Sequence, residues 1–172
     1  MILRIILKNF LSFDNEVQFD MFPNMKRTHL NYHIYTQYGE VPVLKQAAIY
    51  GANGAGKSNL VKALEFIRTF ACDKNFIRKI ELQKFFYLLK SNPTAEPICI
   101  AVEFEFQKKY FFYEVEIGLT GVLRESLSET FPNEERMELV FERKKNMVTY
   151  TDGVEVDNAI ADATQKMLAK NQ

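Results

Sequence analysis

Residues 51–58 read Gly-Ala-Asn-Gly-Ala-Gly-Lys-Ser and stand between two segments of different character. The preceding run, LKQAAIY at 44–50, is apolar and compatible with a β-strand. The following run, SNLVKALEFIRTFA, places Leu60, Leu64 and Ile67 at helical spacing, which predicts an amphipathic helix of about four turns. The sequence therefore predicts a strand, a glycine-rich loop and a helix in succession.

The spacing of the loop is that of the GxxxxGK[ST] phosphate-binding motif, or P-loop. A triphosphate must be met by several backbone N–H groups in one concavity, and Gly51, Gly54 and Gly56 allow the chain to bend that tightly. The following helix directs its positive dipole end at the same anion. Lys57 is expected to act as a catalytic residue at the β- and γ-phosphates, and Ser58 to ligate Mg²⁺. The alternative, a glycine-rich turn that matches by chance, does not account for the strand and helix that the motif requires on either side.

The composition is that of one folded domain with a buried core. The chain has 172 residues, 47% of them hydrophobic, and 15 Phe and 8 Tyr are spread along it, which excludes disorder. Lys+Arg and Asp+Glu both number 22, and the resulting net charge of zero argues against a protein that coats a polyanion.

The sequence also argues against a membrane-spanning or secreted protein. It has no run of about 18 uncharged apolar residues, and Arg4 and Lys8 interrupt its apolar start, unlike a signal peptide. Cys72 and Cys99 form no CxxC pair, so we expect a cytoplasmic protein with no disulfide framework and no zinc site. Both cysteines are expected to be buried as small apolar residues.

Alternation with period 2 predicts strands on both sides of the P-loop. MILRIILKNF at 1–10 and NEVQFDM at 15–21 are expected to form a hairpin across Leu11–Asp14. Residues 22–43 are interpreted as an irregular loop or flap with a short strand, and 74–90 as partly helical. Further strands are predicted at 98–106, 110–119, 123–131, 138–143 and 147–151, with hairpin turns at Gln107–Lys109 and Lys144–Asn146.

The end of the chain carries a second helical pattern. Asp157 is a candidate N-cap, and the segment DNAIADATQKMLAK has no Gly or Pro stop before Gln172. We therefore expect a helix that continues beyond Gln172, so that the chain is a fragment of a longer protein.

The string GANGAGKSN resembles the GxNGxGKS form of the P-loop in ABC-type ATPases of the SMC, RecF and double-strand-break-repair families, and in overcoming-lysogenization-defect nucleases. The N-terminal string agrees, because Lys8–Phe13 (KNFLSF) stands where those families carry N-F-[RK]-[SC]-[FHY]. The chain thus resembles the opening of bacterial AAA-family ATPases of this ABC-like branch, many of which occur in phage-defence systems. The resemblance is specific over 1–71 and looser over 98–151.

The resemblance implies an α/β fold that forms the N-terminal lobe of an ATPase head. It places a P-loop core, with a mixed sheet and one long helix, at 1–72, an antiparallel β-subdomain at 98–151, and the start of a helical arm at 157–172. It also implies ATP and Mg²⁺ as ligands. The phosphate cradle carried over by residue starts after Gly51 and consists of Asn53, Gly54, Ala55, Gly56, Lys57, Ser58 and Asn59.

One position departs from the family pattern. Leu11 stands where the family often has Arg or Lys, a cation that helps to hold nucleotide phosphate. We keep two interpretations of Leu11–Phe13: a backbone contact to the nucleotide, or a plain junction between strand and loop.

Parts that hydrolysis requires in these families are missing from the sequence. It has no apolar strand that ends in Asp-Glu, and Leu127–Thr130 lacks the glycine of a signature loop. His29 and His33 precede the P-loop, whereas the switch histidine of the family comes late, so both are interpreted as surface or partly buried residues. We therefore expect the chain to bind ATP but to hydrolyse little of it alone.

In the complete protein, the resemblance implies a homodimer of heads with ATP between them, acting on DNA, RNA or a partner nuclease or toxin. Two alternatives remain. A self-contained P-loop kinase or NTPase predicts turnover and an Arg-rich lid, and no such lid is visible in the sequence. A non-catalytic module that dimerises on ATP predicts association without hydrolysis. Lys108–Tyr113 could form a basic, aromatic nucleic-acid surface, but is more typical of a hairpin turn that leads into a strand.

Overall fold

The computed structural model describes residues 1–24, 26, 31–36, 41–132 and 134–151. The elements in chain order are β1 (Ile2–Lys8), β2 (Val17–Asp20), β3 (Ile34–Tyr35), β4 (Val43–Leu44), α1 (Lys57–Cys72), α2 (Phe76–Lys79), β5 (Ile98–Phe106), β6 (Lys109–Gly118), β7 (Gly121–Phe131), β8 (Arg136–Lys144) and β9 (Met147–Tyr150). Short 3₁₀ turns are formed by Asn31–His33, Leu82–Phe85 and Pro93–Ala95.

A seven-stranded antiparallel sheet, in the order β2-β1-β5-β6-β7-β8-β9, is the frame of the fold. Strand β1 lies inside this sheet, and its Leu7 is paired with Val17 of β2 on one side and with Ile100 of β5 on the other. The fold is therefore α/β with a large antiparallel sheet, which confirms the predicted class. The first two strands share one sheet with those of 98–151, and the division into subdomains stays a prediction.

The predicted hairpins are confirmed, and two of their turns use residues with positive φ. Gln107 and Lys108 have φ values of 52° and 68° between β5 and β6, and Lys145 has a φ of 53° between β8 and β9. Positive φ in short hairpin loops matches the right-handed twist of the flanking strands. Gln107–Lys108 and Lys145–Asn146 therefore form the turns, each one residue shorter than predicted, because Lys109 is paired in β6 and Lys144 in β8.

The core lies between one face of the sheet and α1. Helix α1 contributes Ala63, Phe66 and Ile67 as buried residues. Ile67 belongs to the stripe that the spacing predicted, whereas Leu60 and Leu64 of that stripe are only partly buried against the core. The sheet contributes alternate side chains of its central strands, and those that are at most 1% exposed are Ile5, Leu7, Ile98, Ile100, Val115 and Ile117.

Phe66 connects α1 to the segments on either side of it in space. Its ring lies 5.5 Å from that of Phe10, 5.1 Å from that of Phe76 and 5.0 Å from that of Phe85, all at steep interplanar angles. Edge-to-face aromatic pairs stabilise by about 0.5–1.5 kcal/mol each beyond the area they bury. The cluster fixes α1, and with it the P-loop, against the turn after β1, the first residue of α2 and the 3₁₀ turn Leu82–Phe85.

The strand predicted at 44–50 is wrong. Only Val43–Leu44 is extended and paired, as β4 against β3, and residues 45–50 are irregular and exposed. Tyr50 is 89% exposed. The composition of LKQAAIY suits a strand, but a strand needs a neighbour for its backbone N–H and C=O groups. The N–H of Lys45 donates to the carbonyl of His33 at 2.8 Å, and the described part of the chain places no strand beside 46–50.

The prediction that both cysteines are buried is wrong for Cys72, which is exposed at the end of α1. The buried stripe of α1 runs through Ala63, Phe66 and Ile67, and Cys72 lies off that face. Cys99 of β5 is half-buried, and this burial, with Glu116 nearby, raises its thiol pKa to about 11.

Two points concern the helices of the chain. The helix predicted from Asp157 lies outside the described residues. Among the described helices, none has both the length and the apolar composition to cross a membrane.

Candidate functional site

The P-loop forms a tight turn that ends in α1. Gly54 and Gly56 have φ values of +81° and +88°, a region that residues with a Cβ rarely adopt. The N–H of Ala55 donates to the carbonyl of Ala52 at 3.2 Å, and the carbonyl of Gly56 accepts from the N–H of Asn59 at 2.9 Å. Gly56 is the N-cap of α1, so the loop leads directly into the first helical turn.

Lys57 is the first residue of α1, and its side chain folds back over the loop. Its Nζ donates to the carbonyl oxygens of Gly51 and Ala52, both at 2.7 Å. Residues 51–55 and Ser58 are exposed. The structure thus brings all predicted site residues from 51 to 59 together at one solvent-facing end of α1, with an ammonium group at its centre.

A second turn, at residues 9–14, lies after β1. Phe10 and Phe13 exchange two backbone hydrogen bonds of 2.9 Å each, and the N–H of Asn9 donates to the carbonyl of Asp14 at 3.1 Å. Asn9 and Leu11 have φ values of 54° and 51°. Asn is among the residues that adopt the left-handed region, whereas a residue such as Leu costs about 1–2 kcal/mol there. The turn is therefore a strained feature that its surroundings must hold in place.

Asn9 is the buried support of this turn. Its side chain is 0% exposed, and its Nδ2 donates to the carbonyl oxygens of Glu96 at 2.8 Å and Pro93 at 3.0 Å. The turn is thereby tied to the loop that precedes β5.

The turn at 9–14 contacts the P-loop. A methyl group built on Gly56 would lie 2.7 Å from the Oγ of Ser12 and 3.6 Å from two ring carbons of Phe13. The family string around Lys8–Phe13 and the P-loop are far apart in sequence but adjacent in the fold, as the resemblance implied. A contact from Leu11–Phe13 to a nucleotide stays a prediction.

The segment Lys84–Leu89 completes the surroundings of the turn. The N–H of Leu11 donates to the carbonyl of Phe85 at 2.7 Å, and Phe10 forms a β-bridge with Phe86. A cleft of about 480 Å³ opens between this segment, the turn and the P-loop. It is lined by Leu11, Ser12, Gly54, Asn59, Lys84, Phe86, Tyr87, Leu88 and Leu89.

The sequence did not identify Lys84–Leu89 as part of a site. Its run KFFYLL has no clear period in the sequence. The unusual exposure of Leu88 and Leu89, 58% and 85%, is visible only in the structure. The contact to the P-loop depends on pairing with Phe10 and Leu11, which no local pattern reveals.

The other candidates from the sequence lie elsewhere. Lys109 is paired with Glu129 at 3.0 Å in the hairpin of β6 and β7. Leu127–Thr130 lies inside β7, which supports the interpretation that it is no signature loop. The ring of His33 packs 4.2 Å from that of Tyr32, whereas His29 lies outside the described residues. Within the described chain, no three His, Cys, Asp or Glu side chains are grouped to hold a metal ion.

Residues 47–149, more than half of the chain, match the model of a protein family described as "AAA domain, putative AbiEii toxin, Type IV TA system". No curated protein matches the chain. A solved structure from work on the "structural biochemistry of ATP-driven dimerization and DNA stimulated activation of SMC ATPases" is similar at 20% identity and a TM-score of 0.46. That match covers 77% of this chain and 74% of the other.

Proposed function

The chain belongs to this family of AAA domains, and on that premise we propose that it binds ATP with Mg²⁺ as the nucleotide-binding lobe of an ATPase. One observation carries the proposal: Gly54 and Gly56 of the GANGAGKS motif take left-handed φ values at the N-terminus of a 16-residue helix, and Lys57 lies over the same loop. This is the geometry that a P-loop uses to surround phosphate.

The residues of the loop fit a triphosphate by their chemistry. The first N–H groups of α1, at Lys57 and Ser58, have no acceptor inside the helix, and the helix dipole makes this end favourable for an anion. The ammonium of Lys57, now held by two loop carbonyls, would exchange these partners for phosphate oxygens. The exposed hydroxyl of Ser58 would ligate Mg²⁺, which when bound neutralises phosphate charge.

The resemblance to SMC- and RecF-type ATPases extends the proposal to the complete protein. There, ATP would be held between two heads, and groups outside this cleft would activate water. The cleft supplies no carboxylate or imidazole for this step, since none of the described residues that line it is Asp, Glu or His. Action on DNA, RNA or a partner nuclease or toxin stays a prediction.

The test is a calorimetric titration of the chain with Mg-ATP. We expect saturable binding that Lys57→Ala abolishes. Lys62→Ala is the matched control, because it removes the same charge from an exposed position of the same helix and should bind as wild type does. Absence of binding by the wild type, or unchanged binding by Lys57→Ala, would overturn the proposal.

A further inference from the structure

The cleft beside the P-loop has the size and position to hold the nucleoside of a nucleotide whose phosphates lie on the P-loop. Its volume of about 480 Å³ is within the range of about 300–1,000 Å³ that is typical of small-molecule pockets. Gly54 and Asn59 lie on its rim, so it begins where the P-loop ends. A triphosphate held at the N-terminus of α1 would leave its nucleoside beside this opening.

The walls of the cleft are mostly apolar. They include Leu11 and the neighbouring segment Phe86, Tyr87, Leu88 and Leu89. The exposure of Leu88 and Leu89, 58% and 85%, means that contact with a flat hydrophobic ligand would remove apolar surface from water.

The polar groups of the cleft are poorly suited to read the edge of a base. Ser12 and Lys84 are exposed, and Asn59 is only half-buried. Strong discrimination between related ligands requires buried polar groups that would be left unpaired by the wrong ligand. Contact with the face of a base tolerates any base, because every base has a π-face.

We infer that the cleft receives the nucleoside of the bound nucleotide, and that Tyr87 and Leu88 hold the base by its flat face and not by its hydrogen-bonding edge. This inference rests on the proposed function, because it requires the triphosphate on the P-loop. It assigns Lys84–Leu89 a role in ligand binding that the P-loop motif does not include.

The position of the segment Lys84–Leu89 is fixed by contacts within the protein and does not depend on the ligand. Phe86 is 1% exposed and bridged to Phe10, and the carbonyl of Phe85 accepts from the N–H of Leu11. Tyr87 and Leu88 directly follow these two anchored residues. Their side chains can therefore be changed without removing the contacts that hold the segment.

The test compares ATP with inorganic tripolyphosphate, which has the phosphates but no nucleoside, on the full chain in the presence of Mg²⁺. We expect Tyr87→Ala to weaken ATP binding by about tenfold, the lower part of the range for loss of a base–aromatic stacking contact. Leu88→Ser, which removes an aliphatic contact, should weaken ATP binding by a smaller factor. Binding of tripolyphosphate should stay unchanged, and Tyr87→Phe should bind ATP as wild type does. ATP and GTP should bind the wild type with dissociation constants of the same order.

Leu139→Ser is the matched control, since Leu139 is a 41% exposed leucine on β8 and does not line the cleft. Equal weakening of ATP and tripolyphosphate in the cleft variants, or no weakening of either, would overturn the inference but leave the proposed function standing. A strong preference for ATP over GTP would overturn binding by the base face. Failure of the wild type to bind either phosphate ligand would overturn both proposals.

Discussion

Gly56 meets two separate requirements for a residue without a Cβ. Its φ of +88° places it in the left-handed region, and a Cβ there would lie 2.7 Å from the Oγ of Ser12. Gly54 meets only the first requirement, because its φ is +81° but nothing lies within 4 Å of a Cβ built on it. Comparing the two glycines therefore separates the requirement for a positive φ, which both have, from the contact with the turn at 9–14, which only Gly56 makes.

Substituting each glycine with alanine should show this difference. Gly54→Ala should cost about 1–2 kcal/mol of the free energy of unfolding, the price of one left-handed non-glycine residue. Gly56→Ala should cost more than Gly54→Ala, because Ser12 must also move, and it should displace the turn from the P-loop. Urea denaturation of both variants measures the difference. Equal stability of the two variants would contradict the contact between Ser12 and the P-loop.

At the scale of the element, the sequence predicted most strands and the main helix. In β5 and β6 alternate residues, such as Ile98 and Ile100 or Val115 and Ile117, are buried because one face of these strands packs on the core. Helix α1 has its apolar stripe for the same reason. The segment 44–50 shows the limit of this approach. Its composition is that of a strand, but whether a strand forms depends on a neighbour that lies elsewhere in the chain or in another chain.

The exposure of residues 45–50 can be tested by measuring the free energy of unfolding of variants in this segment. Ile49 and Tyr50 are 44% and 89% exposed, so Ile49→Ser and Tyr50→Ser should each change the free energy of unfolding by no more than about 0.5 kcal/mol. Ile100→Ala, at a residue with 0% exposure in β5, should cost about 2–5 kcal/mol and serves as the control. A loss of more than about 1 kcal/mol in either serine variant would mean that 45–50 packs as a strand after all.

The sheet also carries a group of ion pairs centred on Arg124 of β7. Its guanidinium lies 2.8 Å from carboxylate oxygens of Glu114 on β6 and of Glu142 on β8, and 3.6 Å from one of Glu116. The hydrogen bond from Arg124, together with one from Lys144, lowers the pKa of Glu142 from its usual value. One cation thus holds three carboxylates together across three strands.

Replacing Arg124 should therefore make stability depend on pH in a defined direction. A carboxylate with a lowered pKa in the folded state stabilises the fold above its unfolded pKa of about 4.3, and this stabilisation is lost as the pH falls through the folded pKa. Arg124→Ala should lower the free energy of unfolding most near pH 7, and the difference from wild type should shrink toward about pH 3.

Urea denaturation at several pH values measures this dependence. Arg136→Ala is the control, because its partners Glu134 and Glu138 are exposed and pairs of this kind contribute little. A difference between Arg124→Ala and wild type that stays constant from pH 7 to about pH 3 would contradict the ion-pair account.

At the scale of the whole molecule, the site was predictable in part. The P-loop was located by its motif, and the nearby turn by the resemblance of Lys8–Phe13 to a family string. The wall at Lys84–Leu89 was not predictable, because its place is set by backbone bonds to Phe10 and Leu11, residues far away in sequence. Irregular segments that pair with each other have no periodic pattern of apolar residues, so the sequence does not predict their pairing.

The sequence leads to a prediction about activity. Hydrolysis of ATP requires a group that orients or deprotonates water at the γ-phosphate, and the chain has no apolar strand that ends in Asp-Glu, the pair that does so in the families it resembles. Binding and turnover should therefore be separable in this chain. With saturating Mg-ATP, phosphate release should be slower than about 1 s⁻¹, the lower end of ordinary enzyme rates.

A continuous phosphate-release assay measures this rate, with Lys57→Ala as the background control. Wild type that binds ATP but releases phosphate no faster than this variant would support an incomplete active site that needs residues from outside the cleft. Release at about 1 s⁻¹ or faster, abolished in Lys57→Ala, would mean that the chain already contains its water-activating group. Such a rate would favour a self-contained NTPase and would direct the search for that group to residues that come near the P-loop only when nucleotide is bound.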